Sequence, residues 1–307
     1  MHYNPHPNLK EIRIRAKDIR EAFVPAYSLD PIFFNSNVKT LRTLGIDWYI
    51  CGWTRPGYEW YPCDLECLEL KQTVTDASTF KVIMTIFPKL KSLSVELADL
   101  CQKVHDGDSD PIHDFDIDVD RFGDVLREHG GNLEEFSFST SHFQNDFNKW
   151  FIRGSIGSLH GLTKLRHLKF EYGDFLGEFA IGNIDDDSYQ VGLHEERLSD
   201  ILPTSIETLY LYNGQRRPTK FPGSHIANAS NPIIKAFLAE SETCAPNLQK
   251  VVVEWFESES TWGKICKRDW SRETIDDRWD ITLVKEEFDY LMYAEGCEMA
   301  HVIFTKR

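Results

Sequence analysis

The densest run of groups able to ligate a cation lies between His105 and Asp120, where aspartates occupy positions 106, 108, 110, 114, 116, 118 and 120. Asp106-Gly107-Asp108-Ser109-Asp110 opens like a calcium loop, in which alternate oxygens converge on one hard cation. The match ends at Pro111, where such a loop turns on glycine, and at Ile117, where a bidentate glutamate closes the shell. The run reads better as a solvated acidic insertion, with a calcium site as the alternative, and Asp185-Asp186-Asp187 is a second acidic loop. Cys63 and Cys67 lie four apart, but no second close pair of cysteine or histidine completes a tetrahedral site. There is no phosphate-binding Gly-x-x-x-x-Gly-Lys-Ser/Thr loop and no Gly-x-Ser-x-Gly elbow, and His194-Glu195 lacks the second histidine of a zinc helix. Gly154-Ser155-Ile156-Gly157 is too short for a phosphate cradle and reads as a turn before Leu159. The expectation is a chain that is not an enzyme and holds no metal or cofactor; an enzyme whose site gathers distant residues is the alternative.

A second cluster able to bind something runs from Trp255 to Asp280, with Trp255, Trp262, Trp270 and Trp279 among Lys264, Lys267, Arg268, Arg272 and Arg278. Aromatics between cations stack bases or grip acidic peptides. Here Glu257, Glu259, Asp269, Glu273, Asp276, Asp277 and Asp280 cancel the charge. Residues 255–298 are therefore expected to be an insertion that caps the last part of the fold, and Trp48 to Tyr61 a smaller one. With 49 acidic and 34 basic residues, the formal charge of −15 argues against a nucleic-acid partner, because neutralising phosphates requires a basic face. Mean hydropathy is −0.39, no run of about 18 apolar residues appears, and Met1-His2-Tyr3-Asn4-Pro5-His6-Pro7 is unlike a signal peptide. Neither a membrane partner nor secretion is expected. Seven cysteines, an odd number at unrelated spacings, fit a reducing compartment, cytoplasmic or nuclear.

The elements that would position any site come from a repeated pattern, an apolar residue followed by others three and five positions on. It occurs at Leu9-Ile12-Ile14, Leu41-Leu44-Ile46, Leu65-Leu68-Leu70, Leu90-Leu93-Val95, Leu133-Phe136-Phe138, Leu165-Leu168-Phe170, Ile206-Leu209-Leu211 and Leu248-Val251-Val253, with a ninth at Met299-Val302-Phe304. The last two apolar residues share one face of an extended strand. Successive motifs start 32, 24, 25, 43, 32, 41, 42 and 51 positions apart, and the intervals of about 20–29 match a leucine-rich repeat period. Helical spacing fills several gaps: Asp76 to Phe87, Asp118 to Glu128 and Pro232 to Ser241. The predicted fold is a single α/β leucine-rich repeat solenoid over residues 1–307, a horseshoe with one parallel strand per repeat and helices outside. An ordinary α/β domain with leucine-rich strands is the competing architecture.

Pro7-Asn8-Leu9, Pro88-Lys89-Leu90, Gly131-Asn132-Leu133 and Pro246-Asn247-Leu248 lead into motifs in the same way, with proline or glycine ending what precedes. With Leu202-Pro203-Thr204-Ser205-Ile206-Glu207-Thr208-Leu209 and Leu162-Thr163-Lys164-Leu165-Arg166-His167-Leu168, these stretches resemble the irregular leucine-rich repeats of fungal F-box-type proteins. The resemblance implies the substrate-recognition part of a ubiquitin-ligase receptor. A ligase adaptor would be a partner only if an F-box lies upstream, since the first motif already begins at Leu9. A stand-alone interaction scaffold is the alternative.

In such a solenoid the residues between the apolar ones point to the concave face. They are Glu11, Arg13 and Arg15; Thr43, Gly45 and Asp47; Cys67, Glu69 and Lys71; Ser92, Ser94 and Glu96; Glu135, Ser137 and Ser139; His167, Lys169 and Glu171; Thr208, Tyr210 and Tyr212; Lys250, Val252 and Glu254. A protein partner is expected there, held by Arg13, Lys71, His167, Lys169, Tyr210, Tyr212, Lys250 and Trp255, with the aromatics as anchors because they bury much area at little rotamer cost.

Overall fold

The computed structural model describes residues 8–15, 24–25, 37–47, 63–73, 75–97, 117–139, 152–171, 178–181, 190–193, 197–212, 224–258, 277–286 and 297–307. The chain divides into two compact units, Met1–Ile152 and Arg153–Arg307. Both are α/β; the main sheet strands of the first are parallel, and the second joins parallel to antiparallel strands.

In the first unit, β1 (Glu11–Arg15), β2 (Thr40–Leu44), β3 (Cys67–Thr73), β4 (Ser92–Leu97) and β5 (Glu135–Ser139) pair in chain order, all parallel. Their register aligns Ile12, Leu41, Leu68, Leu93 and Phe136 in one row and Ile14, Thr43, Leu70, Val95 and Phe138 in the next. From β2 onward both rows are buried, each large side chain contributing about 1.5–3 kcal/mol. Helix α1 (Ala77–Ile86) buries Phe80, Ile83 and Met84, and α2 (Val119–His129) buries Phe122, Val125 and Leu126. Each has an aspartate cap that satisfies an orphan N–H of the first turn: Asp76 accepts from Thr79 N at 2.7 Å and Asp118 from Arg121 N at 3.4 Å. The Phe122 ring lies 5.2 Å from Phe80 and 5.2 Å from Phe138, joining both helices to the strands.

The second unit pairs β6 (His167–Glu171), β7 (Thr208–Tyr212) and β8 (Lys250–Ser258) in parallel. Then β10 (Cys297–Lys306) pairs antiparallel with β8, and β9 (Trp279–Glu286) pairs antiparallel with β10. Leu168, Leu209, Val251 and Phe304 form one buried row. Helix α3 (Leu198–Ile201) is a single turn, and α4 (Ser224–Cys244) is the long helix of the unit. Trp279 is buried with Nε1 donating to the Leu238 carbonyl at 3.3 Å, and Arg278 donates to the Ala239 carbonyl at 3.0 Å, fixing the start of β9 to α4.

A backbone device recurs at the strand starts. The Lys10 carbonyl accepts from Lys39 and Thr40, Lys39 from Glu66 and Cys67, Glu66 from Lys91 and Ser92, and Lys91 from Glu134 and Glu135. In the second unit Arg166 accepts from Glu207 and Thr208, and Glu207 from Gln249 and Lys250. A carbonyl has two lone pairs, so each hook pins two successive donors and fixes the register of the strand that follows. The residue heading each motif also closes a tight turn: Leu90 N bonds the Phe87 carbonyl, Leu133 N that of Gly130, Ile206 N that of Pro203 and Leu248 N that of Ala245. Asparagine before that leucine stitches motifs together, since Asn132 Nδ2 reaches the Pro88 carbonyl at 3.0 Å and Asn247 Nδ2 the Thr204 carbonyl at 3.4 Å.

Four expectations change. The second motif is Val38-Leu41-Thr43 instead of Leu41-Leu44-Ile46, because Leu41 pairs with Ile12 and Leu68 while Val38 is buried ahead of the strand. Thr43, Gly45 and the backbone of Asp47 therefore leave the exposed face: Thr43 is 3% exposed in the apolar row, Gly45 is buried, and Ile46-Asp47 pairs instead with Val24-Pro25. Met299-Val302-Phe304 is no ninth parallel repeat, since its strand runs antiparallel. The ten positions between β9 and β10 are fewer than the dozen or so that a parallel crossover needs. The helix expected from Pro232 starts at Ser224 and carries Pro232 inside it, at the loss of one backbone bond. Residues 255–258, assigned above to the capping insertion, continue β8, and 279–286 form the edge strand β9; 259–276 and 287–296 lie outside the described residues. Trp48 to Tyr61, the aspartates from 106 to 116 and Asp185-Asp186-Asp187 also lie outside them.

Candidate functional site

Strand alternation puts every second residue of the parallel strands on the face away from the helices. In the first unit that face begins with Glu11, Arg13 and Arg15 on β1, followed by Thr40, Arg42 and Leu44 on β2 and Cys67, Glu69 and Lys71 on β3. Across β1 to β3 lies an open recess of about 580 Å³ lined by Arg13, Arg15, Arg42, Leu44, Glu69 and Lys71. Glu11 Oε1 accepts from Arg13 Nε at 2.8 Å and from Arg42 Nε at 3.1 Å. Glu69 pairs with the Arg42 guanidinium and, at 2.7 Å, with Lys71 Nζ. Burial of Glu69 would raise its pKa, but the hydrogen bonds from Lys71 and Arg42 outweigh it and hold the carboxyl below the ordinary value. The hydrogen bonds from Arg13 and Arg42 lower Glu11 in the same direction, and the bond to Glu69 holds Arg42 protonated.

The far rim of the recess is shaped by an irregularity. The β3–β4 register shifts between Leu70 and Thr73, and Gln72 has a left-handed φ of 46°. Such a bulge bends its strand and re-aims adjacent side chains. It brings Thr73 into the core, where Oγ1 donates to the Ile46 carbonyl at 2.8 Å. Gly45, with φ 72°, ends β2 and donates to the Lys71 carbonyl at 3.0 Å; this is a backbone conformation that a side chain strains.

In the second unit the corresponding face carries His167, Lys169, Thr208, Tyr210, Lys250, Val252 and Glu254. The Tyr210 hydroxyl lies 2.8 Å from His301 Nε2, a hydrogen bond whose direction follows the histidine tautomer. Lys169 Nζ stands 4.7 Å from the centroid of the Tyr210 ring, in cation–π range. His301 on β10 faces Glu254 on β8 across the ladder, and both are buried at 8% exposure. Tyr210 is thus held by a neighbour at its hydroxyl and another over its ring. His167 and Lys250 are exposed on the same face. The backbones of Tyr212 and Trp255 pair with Glu171 and Ala300, but their side chains lie outside the described residues.

The structure therefore brings Arg13 and Lys71 together in one recess and Lys169 together with Tyr210 in the other unit. Arg42 and Leu44 were missed because the second motif was placed three residues late; Asn37-Val38, matching Asn8-Leu9, Asn132-Leu133 and Asn247-Leu248, was the available signal. His301 had none, since antiparallel pairing of β10 is not written in the repeat pattern.

Among the described residues no group of three or more histidine, cysteine, aspartate or glutamate side chains is arranged to hold a metal ion, and no helix is long and apolar enough to cross a membrane. Cys63, Cys67 and Cys244 are free, and burial pushes the Cys63 and Cys244 thiols up, away from the reactive thiolate form. Gly154 and Gly157, with φ 82° and 66°, flank the buried Ile156 in the turn before Leu159. No family model matches the chain, and no curated protein matches it.

Proposed function

We propose that the chain is a leucine-rich repeat scaffold that holds a protein partner on the exposed face of its parallel strands. The observation that carries this reading is the two-donor carbonyl hook, repeated at Lys10, Lys39, Glu66 and Lys91 in one unit and at Arg166 and Glu207 in the other. A hook that recurs at the same place in successive motifs is what stacking of like repeats requires. Stacked repeats present rows of variable residues on one face, a surface suited to recognising another protein. The rows here are mixed in charge and carry a half-buried, immobilised tyrosine, the residue type that anchors interfaces. The resemblance to F-box-type receptors extends the reading to ubiquitin-ligase substrate recognition, for which co-precipitation of an adaptor with the full-length protein is the test; without it the scaffold stands alone.

The scaffold reading is tested by capturing partners with the wild-type chain, with a face variant (Lys169→Glu with Lys250→Glu) and with a helix variant (Arg121→Glu with Ala236→Glu). Partners held by the wild type should be lost from the face variant and kept by the helix variant. An identical set on all three baits overturns it.

A further inference from the structure

In a chain of formal charge −15, the recess across β1 to β3 gathers Arg13, Arg15, Arg42 and Lys71 against a single lining acid, Glu69, with Glu11 beside it. Arg13 and Arg42 are direct partners in the parallel register, and like charges facing each other across strands are unfavourable. Glu11 offsets that repulsion by accepting from both guanidiniums on one oxygen, and Glu69 links Arg42 to Lys71. Among the described residues, two carboxylates against four cations leave two positive charges in excess. Among the described residues Arg15 makes no ion pair, and Lys71 shares Glu69 with Arg42.

The next row across the strands reads Arg15, Leu44, Lys71: a cation, an apolar side chain, a cation. The two cations are two strand spacings apart, about 9–10 Å between backbones. Cations on backbones that far apart suit two singly charged groups held apart better than one doubly charged group. Arginine forks take carboxylates readily, and the recess already shows carboxylates seated between its cations at Glu11 and Glu69.

We propose that this recess binds a short acidic, unphosphorylated segment of a partner protein, with an apolar side chain on Leu44 and flanking carboxylates on Arg15 and Lys71. The proposal rests on the reading of the exposed strand face as a partner surface and names what one part of it accepts. Charge complementarity sets the occupant. Attraction between exposed groups is screened within about 10 Å at 0.1 M salt, so binding weakens steeply as salt rises.

The test uses the full chain and three fluorescein-labelled peptides: one with two glutamates flanking a leucine, one with glutamines in their place, and one with a phosphoserine replacing a glutamate. Anisotropy titration at about 50 mM salt should show the glutamate peptide binding about tenfold or more tighter than the glutamine peptide. Arg15→Ala with Lys71→Ala should reduce it to the glutamine level in a variant that still unfolds cooperatively, as should Arg15→Gln with Lys71→Gln. Equal binding of glutamate and glutamine peptides, a phosphoserine peptide about tenfold tighter than the glutamate one, or folded variants that bind like wild type would each overturn the proposal. If the glutamate peptide binds while the face variant keeps every captured partner, the scaffold reading fails and the recess stands as an acid-binding site. If partners are lost from the face variant and the peptide does not bind, the scaffold stands and this site is refuted.

Discussion

Thr43→Asp and Leu44→Asp separate the two possible registers of the second motif. Thr43 is 3% exposed between Ile14 and Leu70 in an apolar row, whereas Leu44 is half-buried between Arg15 and Lys71. An aspartate at 43 has no cation in its row, and the group protonates before it will hold a charge there. Protonating a carboxyl of ordinary pKa about 3.9 at pH 7 costs about 4 kcal/mol, at about 1.36 kcal/mol per unit. Near pH 4.5 the unfolded chain already carries about a fifth of that proton, and the cost falls to about 1 kcal/mol. An aspartate at 44 is flanked by cations and should change stability by no more than about 1 kcal/mol at either pH. Urea unfolding of both variants at the two pH values is the assay. A Leu44→Asp change that destabilises more than Thr43→Asp at pH 7 would refute the register and with it the composition of the recess.

Phe122→Ala should cost about 3–5 kcal/mol in denaturant unfolding, because it empties the space between Phe80 and Phe138. Asn247→Ala should cost about 1 kcal/mol and Asn132→Ala about the same, each losing one side-chain bond to the preceding turn. Tyr210→Phe should lower stability by about 1 kcal/mol, since it removes the hydroxyl's hydrogen bond to His301. Burial raises the Glu69 pKa but Lys71 and Arg42 outweigh it, so the folded value lies below the ordinary 4.5. A carboxyl depressed in this way adds stability above its unfolded pKa and loses it as pH falls through the folded one. Urea midpoints should therefore drop as pH falls below about 5, and Glu69→Gln should flatten that drop; an unchanged slope would count against the pairing.

Much of the strand layout was legible because a residue pattern and a backbone device coincide. Leu65, Leu90 and Leu133 each stand immediately before the two donors of a hook, and their apolar spacing is the spacing of the buried rows. The helices beginning at Asp76 and Asp118 were legible from their apolar spacing, and the structure adds that both acids cap them, each satisfying an orphan N–H. The second motif failed because Thr43 occupies a core position that apolar residues fill elsewhere, so Leu44 and Ile46 supplied a competing match three residues along. With Val38 as its head, the first four motifs start 29, 27 and 25 positions apart at Leu9, Val38, Leu65 and Leu90. That one shift hid Arg42, the residue joining Glu11 to Glu69. Strand direction at the end of the chain was invisible for another reason: an apolar alternation reads the same both ways, and only the short β9–β10 connection selects antiparallel pairing. Arg13, Lys71, His167, Lys169, Tyr210 and Lys250 were placed on the exposed face by alternation alone, whereas the tie between Tyr210 and His301 depends on that antiparallel partner.

The central claim is that partners dock on the strand face and not on the helices. Site-specific photo-crosslinking tests it most directly, with a benzophenone side chain placed in turn at Lys71, Lys169 and Lys250 on the strands and at Arg121 and Ala236 on the helices. The account predicts covalent adducts with captured partners from the strand positions and none from the helix positions. Adducts formed from Arg121 or Ala236 while Lys71, Lys169 and Lys250 stay silent would contradict it.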